Sequence, residues 1–140
     1  MNPQYYEGIL QLRNPTKEVI RFVKDQIKKR KDIFISKEVM LKNGRDVYLS
    51  SQKFLLGLGR NLQNRFGGQL KTSRRLHTIS KETSKQVYRV TVLFRLPLFK
   101  TGDIITYRGE KLKINSISKK IFAQDIKTGK KFTLKFEDFM

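Results

Sequence analysis

Residues 46–97 read DVYLSSQKFLLGLGRNLQNRFGGQLKTSRRLHTISKETSKQVYRVTVLFRLP, and this stretch decides the fold. Val47 to Leu49 is a short apolar strand. Ser50 or Ser51 then offers a side-chain oxygen to the free N–H groups of a following helix. Phe54, Leu55, Leu58 and Leu62 recur at helical spacing, so one side of that helix is apolar. Gly67 and Gly68 end it, because glycine enters the left-handed region without a Cβ clash. Two strands joined by the polar run Ser80 to Lys85 follow. In the second of them Tyr88, Val90, Val92, Phe94 and Leu96 alternate with Val87, Arg89, Thr91, Leu93 and Arg95. The first set must face a core, while the second is at least partly wet.

Working back toward the N-terminus, Tyr5 to Arg13 alternates as a strand, with Tyr6, Leu10 and Leu12 on one side. Asn14-Pro15 predicts the start of a helix, with Asn14 as its N-cap. Val19, Ile20, Val23 and Ile27 form the buried stripe of that helix, and the basic run Lys28 to Lys31 suits its C-terminal dipole. Ile33 to Ser36 is a short strand. Val39 to Leu41 pairs with Val47 to Leu49 around Asn43-Gly44, a dipeptide that favours a type I′ turn. The order β-α-β-β-α-β-β predicts an α+β unit over residues 1–97, a mostly antiparallel sheet with two helices on one face.

From Leu98 the texture changes to short strands at close spacing: Ile104 to Tyr107, Leu112 to Ser118, Ile121 to Ile126 and Phe132 to Phe136. Arg108-Gly109-Glu110 and Lys127-Thr128-Gly129-Lys130 have turn chemistry. Residues 98–140 are therefore expected to form a small SH3-like β-barrel closely coupled to the first unit.

The 140 residues carry 31 Lys and Arg against 12 Asp and Glu, a net charge of +19. Such an imbalance repels itself in the compact state and points to a polyanionic partner. The chain has no cysteine and one histidine, which excludes disulfides and leaves ordinary zinc sites short of ligands. Neither a cofactor nor a small-molecule substrate is indicated. No apolar run reaches membrane-spanning length, and the N-terminus has no signal-peptide pattern, so a cytoplasmic protein with no membrane partner is expected.

The charge is uneven. From Val47 through Lys81 there is no acidic residue, while Lys53, Arg60, Arg65, Lys71, Arg74, Arg75 and Lys81 fall there. Along the strand, alternation puts Lys71, Ser73, Arg75 and His77 on one face, and Thr72, Arg74 and Thr78 on the other. Guanidinium forks pair with phosphate oxygens and hydroxyls add neutral donors, so these residues suit a surface that grips an RNA backbone. Arg60, Arg65, Lys71, Ser73, Arg74, Arg75, His77, Arg89 and Arg95 are the candidate RNA-binding residues. The charges of this strand would equally protect an exposed sheet edge. Gly57 and Gly59 make a GxG without the rest of a dinucleotide fingerprint, and are better explained by close packing of the helix on the sheet. His77 lacks a nucleophile and an orienting acid, and the acids are too scattered for a two-metal nuclease.

The segments YYEGILQLRNP, DVYLSSQKFLLGLGRNLQNRFGG, KTSRRLHT and QVYRVTVLFRLPLFKTGD resemble the archaeal branch of the nonsense-mediated decay protein three family. In eukaryotes that family supplies the export adaptor of the large (60S) ribosomal subunit. The resemblance implies binding to the large subunit and its rRNA during late maturation, alongside other assembly factors. It also implies a central region like the ribosomal protein L22e, joined to modules like the hypusine-bearing translation factor. The paired CxxC zinc ribbons with which family members begin have no counterpart here, so the chain is expected to be a fragment rather than a natural short form. The leucine-rich shuttling tail is absent too, and the export role is not carried over.

The expectation is a non-enzymatic rRNA-binding assembly factor. Three alternatives compete with it: an RNA-processing or RNA-modifying enzyme using His77 with Arg74 and Arg75, a ribosomal-protein-like structural RNA binder, and a binder of acidic proteins.

Overall fold

The computed structural model describes the backbone of residues 5–79 and 86–139, and the side chains of residues 5–76 and 88–139. The expected turn at Ser80 to Lys85 lies outside the described residues. The first unit runs β1 (Gly8–Arg13), α1 (Lys17–Lys28), β2 (Ile35–Leu41), β3 (Gly44–Leu49), α2 (Gln52–Phe66), β4 (Gln69–Ile79) and β5 (Gln86–Arg95). Its sheet has the order β2-β3-β1-β5-β4. Every neighbouring pair is antiparallel except β1 and β5, which run parallel with Leu10 beside Val92 and Leu12 beside Phe94. The α+β class with both helices on one face is therefore as expected, and the parallel pair at its centre is new.

Both helices pack on the same side of the sheet and share one core. Leu10, Leu12, Val47, Leu49, Val90, Val92 and Phe94 from the strands meet Val19, Val23, Ile27, Leu55, Leu58 and Leu62 from the helices. Ile20 and Phe54, also expected in the core, are half-buried. Ser51 is the N-cap of α2, its Oγ accepting from the Phe54 N–H at 3.2 Å, and Gly67 closes the helix at φ +73°. A second cap comes from outside the helix: Glu7 Oε1 accepts from the Gln52 N–H at 2.8 Å. It supplies a negative charge to a first turn that has no acid of its own.

Three local expectations are corrected. Thr16, not Asn14, caps α1, its Oγ1 accepting from the Val19 N–H at 3.2 Å. Asn14 instead takes φ 54° and ties the exit of β1 to its neighbours, donating from Nδ2 to the Leu96 carbonyl at 3.2 Å. Next, β2 is one strand rather than two short ones, and Ile33 joins the core from the segment before it. The β2–β3 turn is not type I′, since neither Asn43 nor Gly44 has a positive φ. Gly44 serves a different need there: a Cβ on it would sit 1.9 Å from the Leu12 carbonyl oxygen of β1. A turn of the I′ kind does occur between β6 and β7, where Arg108 and Gly109 have φ 50° and 81°.

The second sheet runs β6 (Ile104–Tyr107), β7 (Glu110–Ile117), β8 (Ile121–Asp125) and β9 (Lys131–Leu134) as an antiparallel meander, followed by a 3-10 turn at Phe136–Asp138. The expected SH3-like barrel does not close. Phe136 is buried with Leu112, Ile114, Ile121, Ala123 and Leu134, and Phe99 and Phe139 pack against that cluster edge to face, 5.3 Å apart. These aromatic rings cover the apolar face, so the sheet has no need to curl onto itself.

The two units meet at the start of β4. A Cβ on Gly67 would stand 2.3 Å from the Ile117 carbonyl oxygen, and the Gly68 N–H donates to the Ser118 carbonyl at 3.1 Å. The buried Gln69 donates from Nε2 to Glu137 Oε1 at 3.2 Å.

Candidate nucleic-acid interface

With both helices on one side, the other side of the first sheet is left open. The β4–β5 register places Lys71 beside Leu93, Ser73 beside Thr91 and Arg75 beside Arg89, all on this open face. Gln69 beside Arg95, and then Arg13 of β1 beside Arg95 in parallel register, continue it. Two acids lie near these cations: Asp46 accepts from Arg13 Nη1 at 2.8 Å, and Glu137, held by Gln69, is close enough to Lys71 to feel its charge without forming an ion pair. Among the described residues Lys71, Arg75, Arg89 and Arg95 form no ion pair. Four cations thus stand on a pleated surface, and of these only Arg89 commits a donor within the fold, to Tyr6.

Arg89 is held in place by an aromatic partner. Its guanidinium carbon lies 3.8 Å from the centre of the Tyr6 ring, and Nη1 donates to the Tyr6 hydroxyl at 2.9 Å. Tyr6 in turn meets Tyr48 edge to face at 4.9 Å, and Lys37 Nζ stands 5.5 Å from the Tyr48 ring. This places Tyr6 on the open face, against the expectation that it shares a side with Leu10 and Leu12. Glu7 is the cause. Regular pairing begins only at Gly8, and Glu7 is turned toward Gln52 and the Tyr5 hydroxyl. The hydrogen bond to Glu7, aided by partial burial, pushes the Tyr5 hydroxyl up to about 12. Beside Arg89 lies a concavity of about 610 Å³ whose lining includes Tyr6, Gln11, Ser73, Arg75 and Thr91, with Arg74 bordering it from the edge strand.

The remaining candidates are set differently. Arg74 is opposite Val90, so it projects from the helix side of the edge strand and is exposed there. A bulge does occur in β4, between Leu76 and Thr78, but it follows Arg75 and cannot bring Arg74 to the open face. His77 is at this bulge, and its side chain lies outside the described residues. Arg60 and Arg65 belong to α2, in the helix layer. Arg65 lies over Phe22 of α1, 5.3 Å from the ring, in a shallow recess with Lys28 and Lys29. The candidate set therefore divides between two surfaces. Lys71, Ser73, Arg75, Arg89 and Arg95 come together, while Arg60 and Arg65 do not join them.

The donors on this face are of the kind that pair with anions. The guanidinium forks and lysine can pair with phosphate oxygens, and Ser73 and Thr91 add hydroxyl donors. Among the described residues no group of three His, Asp or Glu side chains is placed to hold a metal ion. No helix among the described residues is long and apolar enough to cross a membrane.

The family model described as NMD3, second domain, matches residues 5–96, which run from just before β1 to the end of β5. No curated protein matches the chain.

Proposed function

The chain belongs to the NMD3 family, and from that membership we propose that it is a non-enzymatic, RNA-binding factor of the large ribosomal subunit, acting in the cytoplasm during late maturation. The observation that carries this reading is the open sheet face, where Lys71, Arg75, Arg89 and Arg95 lie on one side and, among the described residues, form no ion pair. Phosphate contacts of this kind position a protein on folded RNA without reading its sequence. Arg74, Arg60, Arg65 and His77 extend the positive field around the face, and their contribution is that of a secondary surface.

Co-sedimentation of the purified chain with isolated ribosomal subunits tests the proposal. Association with the large subunit and not the small one is the expected result. Equal retention by both would reduce the protein to a generic polycation. Failure to bind RNA at near-physiological salt would instead favour an acidic protein as the partner.

A further inference from the structure

The second sheet also has a solvent face, and residues 98–139 lie beyond the span that the family model matches. Its register places Ile104 and Thr106 of β6, Lys111 and Lys113 of β7, Phe122 and Gln124 of β8, and Lys131 and Thr133 of β9 on the side away from Leu112, Ile114, Ile121 and Ala123. None of these outward residues is acidic. Phe122 stands on an inner strand of the sheet and is 40% exposed. Its cross-strand neighbours are Ser116 and Thr133. A bulge between Ile114 and Ser116 adds Asn115, which donates from Nδ2 to Gln124 Oε1 at 3.4 Å. Small polar groups thus flank the ring and leave it uncovered, with Lys113 and Lys131 on the adjoining strands.

We infer that this outer face binds single-stranded nucleic acid, with Phe122 as the platform on which a base stacks and Lys111, Lys113 and Lys131 meeting the backbone phosphates. Every base has a π-face, so an exposed ring among cations takes single strands with little regard to sequence. A base inside a duplex is already stacked and cannot use it. An acidic protein partner would use the ring only as apolar surface, a contact that Phe122→Leu would largely keep. The inference rests on the nucleic-acid reading of the chain, but at a different surface from the open face of the first sheet.

The test uses the full chain with a labelled oligouridine of about twelve nucleotides and a labelled RNA duplex, each titrated into Phe122→Ala, Phe122→Leu and Phe122→Tyr. Phe122→Ala should weaken oligouridine binding by about five- to a hundred-fold, the range that one base–aromatic stack supplies. Phe122→Leu keeps the apolar surface and should weaken it similarly, Phe122→Tyr should restore it, and duplex affinity should stay unchanged in all three. Oligouridine binding within twofold of the parent in Phe122→Ala overturns the inference. So does recovery by Phe122→Leu, which would make the face a plain apolar contact. An equal loss of duplex affinity also overturns it, since the effect would not belong to a single-strand site. The first face is judged separately: if Lys71→Ala with Arg75→Ala leaves duplex binding intact, the phosphate-binding reading fails whatever Phe122 does.

Discussion

Gly57 and Gly59 lie on different sides of α2, and the difference fixes what a methyl group would do at each. A Cβ on Gly59 would stand 2.9 Å from Val92 Cγ1 and 3.1 Å from Leu70 Cδ1, both held in or against the core. Gly59→Ala should therefore destabilise the protein by about 1–3 kcal/mol. On Gly57 the nearest group is the Arg60 guanidinium at 3.9 Å. Gly57→Ala should stabilise by about 0.5–1 kcal/mol, the helix-interior preference for alanine. Denaturant midpoints moving in opposite directions would confirm the pair, and a common direction would contradict it. The GxG in the sequence announced close packing, but only the register of the helix on the sheet says which glycine does it.

A carboxylate in the second unit gives a pH signature. Asp125 Oδ1 accepts from the Lys127 N–H at 2.7 Å and the Thr128 N–H at 3.2 Å, and these hydrogen bonds hold its carboxyl below the usual carboxylate range. The folded chain therefore takes up this proton at lower pH than the unfolded chain. The resulting stability is full above the ordinary aspartate value of about 4 and is lost as pH falls through the lowered folded value. Thermal melts of Asp125→Asn between neutral pH and acid should show a shallower acid branch than the parent. A branch as steep as the parent's would place the acid sensitivity in other carboxylates.

At the scale of elements, α2 is the clearest success of pattern reading. Its apolar spacing, its serine cap and its terminal glycine are all local features, and all three appear as expected. Leu58, at its centre, is 2% exposed, so Leu58→Ala should cost about 2–5 kcal/mol in chemical denaturation. A cost below 1 kcal/mol would mean that the helix is not seated on the sheet. Elements whose geometry depends on distant strands were less legible. Asn14 looks like a cap, but its αL backbone answers to Leu96 and Asn43. Asn43-Gly44 looks like a type I′ turn, but Gly44 is required by the approach of Leu12. Tyr6 leaves its alternation because Glu7 is drawn to the N-terminus of α2.

For the whole molecule, the sequence disclosed the sum of the charge but not its distribution over surfaces. Alternation correctly grouped Lys71, Ser73 and Arg75 and set Arg74 apart. It could not reveal that α2 carries Arg60 and Arg65 to the opposite layer, because that depends on which sheet face the helices cover. The barrel expected at the C-terminus failed for a similar reason. Strand spacing does not show that Phe99, Phe136 and Phe139 will cover the apolar face. The coupling of the two units at Gly67, Gly68 and Gln69 leads to a further expectation. A chain ending after Pro97 keeps its own core and should fold, with a lower denaturant midpoint; loss of cooperative unfolding would show that the units share one core.

The central claim is that the open face of the first sheet holds RNA through phosphate contacts. It is tested most directly by measuring rRNA affinity against salt for the parent, for Lys71→Ala with Arg75→Ala, and for Arg60→Ala with Arg65→Ala. The logarithm of affinity should fall linearly with the logarithm of salt, and the sheet pair should reduce that slope by about 1.4–1.8, two phosphate contacts' worth. The helix pair should change it by less than one contact. Equal reductions from the two pairs, or a larger one from the helix pair, would contradict the account and leave the charge of this chain without a preferred surface.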